Sequence, residues 1–63
     1  MSTKEKFTRM ITDKKCTGAH YRVFLYKMIN PESTTKELVR SLDLSYKTVY
    51  CAISYLKENN LLE

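Results

Sequence analysis

The apolar residues of this 63-residue chain recur at the spacing of α-helices, beginning with two segments in its first half. In the first segment Phe7, Met10 and Ile11 stand at positions i, i+3 and i+4, flanked by Lys and Arg. The second covers residues 18–30, and its longer stripe comprises Tyr21, Phe24, Leu25, Met28 and Ile29. Side chains at these spacings share one helix face, so the pattern predicts a short amphipathic helix within residues 1–17 and a longer helix after it.

The third segment, residues 34–43, follows Asn30-Pro31, which ends the second helix because proline restricts the residue before it and lacks a backbone N–H. Thr34 and Glu37 fit a capping box, in which the Thr oxygen accepts a bond from a backbone N–H and the Glu side chain reaches back. The buried stripe predicted for this helix is Leu38, Val39 and Leu42.

The fourth segment, residues 45–59, is predicted to be a helix with Ser45 as its N-cap. Its apolar face comprises Val49, Ala52, Ile53 and Leu56. Asp43 and Asn60 stand just after the third and fourth helices. Both residue types tolerate the left-handed conformation that commonly ends a helix.

Composition narrows the fold to an all-α single domain covering residues 1–63. The chain has one Gly and one Pro, too few for a β-sandwich with many tight turns, and its seven aromatic residues argue against disorder. A domain this small has little core volume to spare for a deep substrate pocket. With one His, no nucleophile–base constellation and no Gly-rich phosphate loop, we expect a surface binder and not an enzyme.

Charge and cysteine usage favour a polyanionic partner and a reducing compartment. The net charge is +4, and residues 1–15 alone contribute +3 whereas residues 34–63 are balanced. No apolar run is long enough for a membrane span, and the polar start lacks the apolar stretch of a secretory signal. We therefore expect a cytoplasmic protein with Cys16 and Cys51 as free thiols.

Residues 34–62, TTKELVRSLDLSYKTVYCAISYLKENNLL, resemble the helix-turn-helix of winged-helix regulators, the superfamily of the multiple-antibiotic-resistance and arsenic-responsive repressors. The matching positions are Thr34, Glu37 and Leu38, then Leu42, Leu44 and Ser45, and then Thr48, Val49, Ile53 and Leu56. The resemblance implies a three-helix helix-turn-helix core with 34–43 as positioning helix and 45–59 as recognition helix. Asp43 and Asn60 stand where the family often has Gly, and the β wing is expected to be absent or reduced to a stub.

The implied function is a sequence-specific, double-stranded DNA-binding regulator, most simply a small repressor of the kind common on phages, viruses and plasmids, acting in the host cytoplasm or nucleoid. The N-terminal part of a recognition helix enters the major groove. The predicted base contacts are Tyr46, Lys47, Thr48, Tyr50 and Cys51. Helix N-termini and nearby cations hold phosphates, so the predicted phosphate contacts are Thr35, Lys36, Arg40 and Ser45.

Such regulators act as homodimers with two recognition helices in successive major grooves about 34 Å apart. The predicted dimer contacts are Phe7, Met10, Ile11, Leu61 and Leu62, which complete the monomer core if they are not used between copies. Two alternatives remain: a protein-interaction module that uses the same fold, and an excisionase-like protein that bends DNA. No metal site or cofactor is predicted, because His20 has no partners at ligand spacing.

Overall fold

The computed structural model describes residues 2–62, which form four α-helices and contain no β-strand. The helices are α1 (Thr3–Thr12), α2 (Gly18–Ile29), α3 (Thr35–Leu42) and α4 (Tyr46–Glu58). The all-α class and the four helical segments are therefore confirmed. In residues 2–62, none of the four helices combines the length and the apolar character that crossing a membrane requires.

Side-chain caps fix where three of the helices begin. Ser2, Thr34 and Ser45 each accept a bond from the backbone N–H three residues later, at the starts of α1, α3 and α4. The Thr34 cap is the predicted one, with its Oγ1 accepting from Glu37 N at 3.1 Å. The Glu37 carboxylate, however, accepts from the Tyr26 hydroxyl at 2.8 Å, so it holds α3 against α2.

The helix ends at Asp43 and Asn60 have the predicted left-handed backbone. Their φ angles are +54° and +56°, the only positive φ values outside glycine in the described residues. Asp43 turns the chain sharply between α3 and α4, so that only three residues separate the two helices. At the end of α4 the Leu61 N–H bonds back to the Leu56 carbonyl at 2.8 Å, which folds the chain end onto the core.

The core receives at least one side chain from every helix. The fully buried apolar residues are Met10, Val23, Phe24, Leu38, Val49, Ala52, Leu56 and Leu61. Helix α2 lies against α4 and α3, and α1 packs against the same core through Phe7, whose ring meets the Phe24 ring edge-on with the ring centroids 5.1 Å apart. The buried stripes predicted for α3 and α4 are confirmed, with Val39, Leu42 and Ile53 partly buried at their edges.

The predicted stripe of α2 is wrong in part. Val23 and Phe24 are buried, whereas Leu25, Met28 and Ile29 are exposed. Apolar residues occupy most of the circumference of α2, so spacing alone does not identify the face that packs. Lys27 lies beside the buried face, where it donates to the carbonyls of the following loop and keeps its charge near the surface.

The predicted dimer contacts need a similar correction. Met10 and Leu61 are 0% and 1% exposed within a single chain, so they complete its core and are not free to contact a second copy. Phe7 and Leu62 are half-buried against the same core. The exception is Ile11, which is 68% exposed. Met10 and Phe7 anchor α1 in cis, because a helix of ten residues needs a surface to stabilise it.

Candidate nucleic-acid interface

The outer face of α4 presents four of the five predicted base-contacting side chains to solvent. Val49 is buried, and each residue turns the helix by about 100°, so the positions two before and two after it lie on the opposite side. These are Lys47 and Cys51, and both are exposed. Tyr46 and Tyr50 flank them and are 54% and 62% exposed.

Tyr46 and Tyr50 form an aromatic pair along the first turns of α4. They stand four residues apart, and their ring centroids are 6.3 Å apart with a 31° angle between the ring planes. Each ring carries an apolar face and a hydroxyl group that donates and accepts hydrogen bonds. This end of α4 therefore offers two aromatic surfaces, the Lys47 ammonium and the Cys51 thiol on one continuous patch.

Thr48 and Ser45 are engaged in starting α4. Ser45 Oγ accepts from Thr48 N at 3.1 Å, and the two hydroxyl oxygens are 2.7 Å apart. Thr48 is half-buried as a result. Its methyl group remains the part that can face a ligand, whereas its hydroxyl group already has a partner.

Three of the four predicted phosphate contacts lie on α3, and the fourth, Ser45, is the N-cap of α4. Lys36 in the first turn of α3 and Arg40 in its last turn are exposed, and Thr35 is half-buried at the first position of the helix. A depression of about 540 Å³ lies beside them and is lined by Thr34, Lys36, Glu37, Arg40 and Ser41. The first N–H groups of a helix have no acceptor within it, so this surface combines free donors with two cations. The Glu37 carboxylate partly offsets that positive charge.

Two side chains of α2 fix the position of α3 beneath this surface. The Arg22 guanidinium donates to the Leu42 carbonyl at 2.8 Å, which satisfies an open acceptor at the C-terminal end of α3. The Tyr26 hydroxyl lies 2.8 Å from a Glu37 carboxylate oxygen and 3.2 Å from Ser41 Oγ. These long-range bonds hold α3 against α2. Local spacing could not predict these bonds, because each joins two residues that are 11 to 20 positions apart in the sequence.

A second surface feature, here called the lysine groove, lies on another side of the molecule. It has a volume of about 600 Å³ and lies between α1, the end of α2, the start of α3 and the end of α4. Its polar lining includes Lys6, Lys27, Lys57 and Ser33, and its apolar lining includes Met28 and Leu62. No carboxylate lines it among the described residues. Sequence reasoning missed it, because its lysines come from three different helices.

In residues 2–62 no group of three or more His, Cys, Asp or Glu side chains lies close enough together to hold a metal ion. His20 accepts from the Thr17 backbone N–H through Nδ1 at 2.9 Å. Cys16 and Cys51 are free thiols, as predicted.

Comparison of the chain with protein-family models, with curated proteins and with solved structures found no match. The described residues present two candidate surfaces: the exposed N-terminal half of α4 with the neighbouring α3, and the lysine groove.

Proposed function

We propose that this chain is a sequence-specific DNA-binding regulator in which α3, the turn at Asp43 and α4 act as a helix-turn-helix. The observation that carries the proposal is the exposure of Lys47, Cys51, Tyr46 and Tyr50 on one face of α4, opposite its buried stripe. A helix with one packed edge and a free polar and aromatic edge suits the major groove, which admits a single α-helix.

In this mechanism α3 positions the protein and α4 reads the sequence. Lys47 donates to the O6 and N7 acceptors of guanine, and the Thr48 methyl and the Cys51 side chain contact a neighbouring base edge. The free N–H groups at the start of α3, with Lys36 and Arg40, hold the flanking phosphates. Tyr46 and Tyr50, the other two predicted base contacts, place their exposed rings and hydroxyl groups in the same groove.

The proposal includes a homodimer, but its contact surface is not the one predicted from the sequence. The exposed apolar side chains suited to contact a second copy are Ile11, Leu25, Met28 and Ile29, which are 68%, 43%, 41% and 77% exposed. The last three stand at i, i+3 and i+4 on α2, so they share one face. Two copies joined through this face present two recognition helices to one duplex.

The test is a selection of bound sites from random duplex DNA, followed by titration of the selected site at several salt concentrations. We expect a preferred site, and an affinity that falls steeply with salt because phosphate contacts release counterions. Light scattering on the complex gives its stoichiometry. Lack of binding at low salt, or equal affinity for every duplex, contradicts a sequence-specific regulator, and strong bending with cooperative filaments indicates an architectural protein instead.

A protein-interaction module is the second candidate, and the apolar face of α2 favours it. Exposed side chains such as Ile29 and Leu25 form the kind of patch that marks protein contacts, and residues 34–63 carry no net charge. The DNA titration of the wild-type chain separates the two functions, and the variant Ile29→Lys tests whether this face makes the protein contact. If DNA binding fails in wild type while one protein is recovered stoichiometrically by wild type and lost by Ile29→Lys, the interaction module is the correct description.

A further inference from the structure

The N-terminal half of α4 carries few groups that recognise bases by hydrogen bonds. Arg, Asn and Gln make the common two-bond contacts with base edges, and α4 contains none of them. Lys47 is the one cation in residues 46–56. The Thr48 hydroxyl group is hydrogen-bonded to that of Ser45, with the two oxygens 2.7 Å apart. Hydrogen bonds from this surface therefore distinguish few base pairs.

The same surface has a large apolar area. Tyr46 and Tyr50 are 54% and 62% exposed, and their ring centroids lie 6.3 Å apart. The exposed Cys51 side chain follows Tyr50, and a free cysteine behaves as a small apolar group with weak hydrogen bonding. A tyrosine side chain has two torsions to fix, so it supplies contact area at a low cost in conformational entropy.

Apolar contact in the major groove favours thymine over the other bases. The 5-methyl group of thymine is the apolar group among the base edges there, whereas cytosine presents an amino donor. A tyrosine ring over a donor or acceptor removes its bond to water without replacing it, which is unfavourable. The same ring over a methyl group buries apolar area, which is favourable.

The spacing along α4 places this contact beside the one made by Lys47. With a rise of about 1.5 Å per residue, Tyr50 and Cys51 lie about 4.5 and 6 Å further along the helix axis than Lys47. Successive base pairs are about 3.4 Å apart. A helix that follows the groove therefore brings these two side chains to bases one or two steps away from the base that Lys47 contacts.

We infer that α4 recognises thymine by its 5-methyl group, through Tyr50 and Cys51, within two base pairs of the guanine that Lys47 contacts. The inference rests on the proposed function and specifies the class of duplex that the chain selects, one with guanine next to thymines. Tyr50 and Cys51 are then specificity-determining residues that act by apolar contact, and Lys47 acts by hydrogen bonds.

The experiment replaces single thymines with uracil in the duplex that the full chain selects from random DNA. Uracil lacks the methyl group and keeps the hydrogen-bonding groups of thymine. We expect the selected sites to contain thymine within two base pairs of a common guanine. Uracil at that position should weaken binding about fourfold, the factor for one buried methyl group, as measured by fluorescence anisotropy. Uracil in the DNA that flanks the site is the control and should leave the affinity unchanged.

Two variants test whether α4 makes the methyl contact. Tyr50→Ala and Cys51→Ser should each bring the ratio of thymine to uracil affinity towards one at one position of the site. Both residues are exposed, so the variants should keep the melting temperature of the wild type. Lys36→Ala is the matched control, because loss of a phosphate contact should weaken binding to both duplexes and leave the ratio unchanged.

The outcomes separate this inference from the proposed function. Equal affinity for the thymine and uracil duplexes, or selected sites without thymine near the guanine, would overturn methyl recognition while sequence-specific binding stands. A ratio that persists in both Tyr50→Ala and Cys51→Ser would overturn it as well, because another part of the chain then contacts the methyl group. If the full chain prefers no duplex over any other, the proposed function fails and this inference fails with it.

Discussion

The Tyr55 hydroxyl donates to the Asp13 carboxylate over 2.6 Å, which ties α4 to the α1–α2 linker across 42 residues of sequence. This bond and the Lys15 backbone N–H, which reaches the same carboxylate at 2.9 Å, hold the pKa of Asp13 below its ordinary value. The pKa of Tyr55 is raised, first by burial and then by its bond to Asp13. The contact therefore stabilises the ionised form of Asp13.

Tyr55→Phe removes the hydroxyl group and keeps the ring. We expect a lower melting temperature and an Asp13 pKa that rises towards its ordinary value, because the largest cause of its depression is gone. Thermal unfolding followed by circular dichroism and an NMR titration of the carboxyl carbon measure both. An Asp13 pKa that stays depressed in Tyr55→Phe would contradict the bond. Tyr50→Phe is the control, since that ring is exposed and has no such partner.

His20 makes the stability of the fold sensitive to mild acid. Its ring stacks on Tyr55 with a centroid distance of 4.5 Å, and burial lowers the pKa of His20 below its ordinary value, although the Asp13 charge opposes the shift. A base with a lowered pKa in the folded state binds fewer protons than in the unfolded state. Stability is then complete above the ordinary His pKa of about 6.5 and falls as pH drops below it.

Protonation of His20 also removes the acceptor that Nδ1 offers to the Thr17 N–H. We expect the free energy of unfolding, measured by urea denaturation, to fall between about pH 7 and pH 5. His20→Asn keeps an acceptor in a similar place and does not titrate, so its stability should change less over the same interval. Equal pH dependence of the two proteins would assign the effect to other groups.

The packing of α1 gives a matched pair of substitutions. Met10 is fully buried within the chain, whereas its neighbour Ile11 is 68% exposed. Met10→Ala should lower the free energy of unfolding by about 2–5 kcal/mol, because it leaves a cavity. Ile11→Ala should change it by less than about 0.5 kcal/mol in the monomer. Urea denaturation at two protein concentrations measures both, and a concentration-dependent loss for Met10→Ala would mean that α1 packs between copies.

Local signals were sufficient for the helices but not for the faces that pack. Ser45 and Thr34 predict where helices start, and Asp43 predicts a left-handed helix end, because each residue acts on backbone groups within four residues of it. The exposure of Leu25 and Met28 could not be predicted, since α2 is apolar around most of its surface. Which face packs is decided by the positions of α3 and α4.

Of the two candidate sites, the outer face of α4 could be predicted from the sequence and the lysine groove could not. The outward direction of Lys47 and Cys51 follows from the buried stripe of α4, so helix geometry alone placed them. The lysine groove depends on four chain segments meeting, and no spacing in the sequence links Lys6 to Lys57.

The turn at Asp43 tests the backbone that sets α4. A side-chain-bearing residue in the left-handed region is strained by roughly 1–2 kcal/mol, less for Asp than for most, and glycine is not. Asp43→Gly should therefore fold with equal or greater stability. Asp43→Val should lose about 1–2 kcal/mol, because a β-branched side chain fits this region poorly. Denaturant unfolding of the pair measures the difference, and equal stability of the two variants would contradict the φ of +54° at this position.

Lys47 and Lys36 are predicted to contribute to DNA binding in different ways. Lys47 lies on the outer face of α4, so Lys47→Ala should reduce the preference for the selected site over a random duplex by about 1–3 kcal/mol. Lys36 lies at the start of α3, where a phosphate contact gives no sequence information. Lys36→Ala should weaken binding to both duplexes alike and reduce the salt slope by about one.

Fluorescence anisotropy with labelled selected and random duplexes at three salt concentrations measures these effects. Lys57→Ala is the control, because Lys57 is exposed in the last turn of α4 and should alter neither affinity nor preference. If Lys47→Ala weakens both duplexes equally, Lys47 contacts only phosphates and α4 is not the reading helix. If Lys36→Ala changes the preferred sequence, α3 takes that role, and the orientation of the chain on the duplex is the reverse of the one proposed.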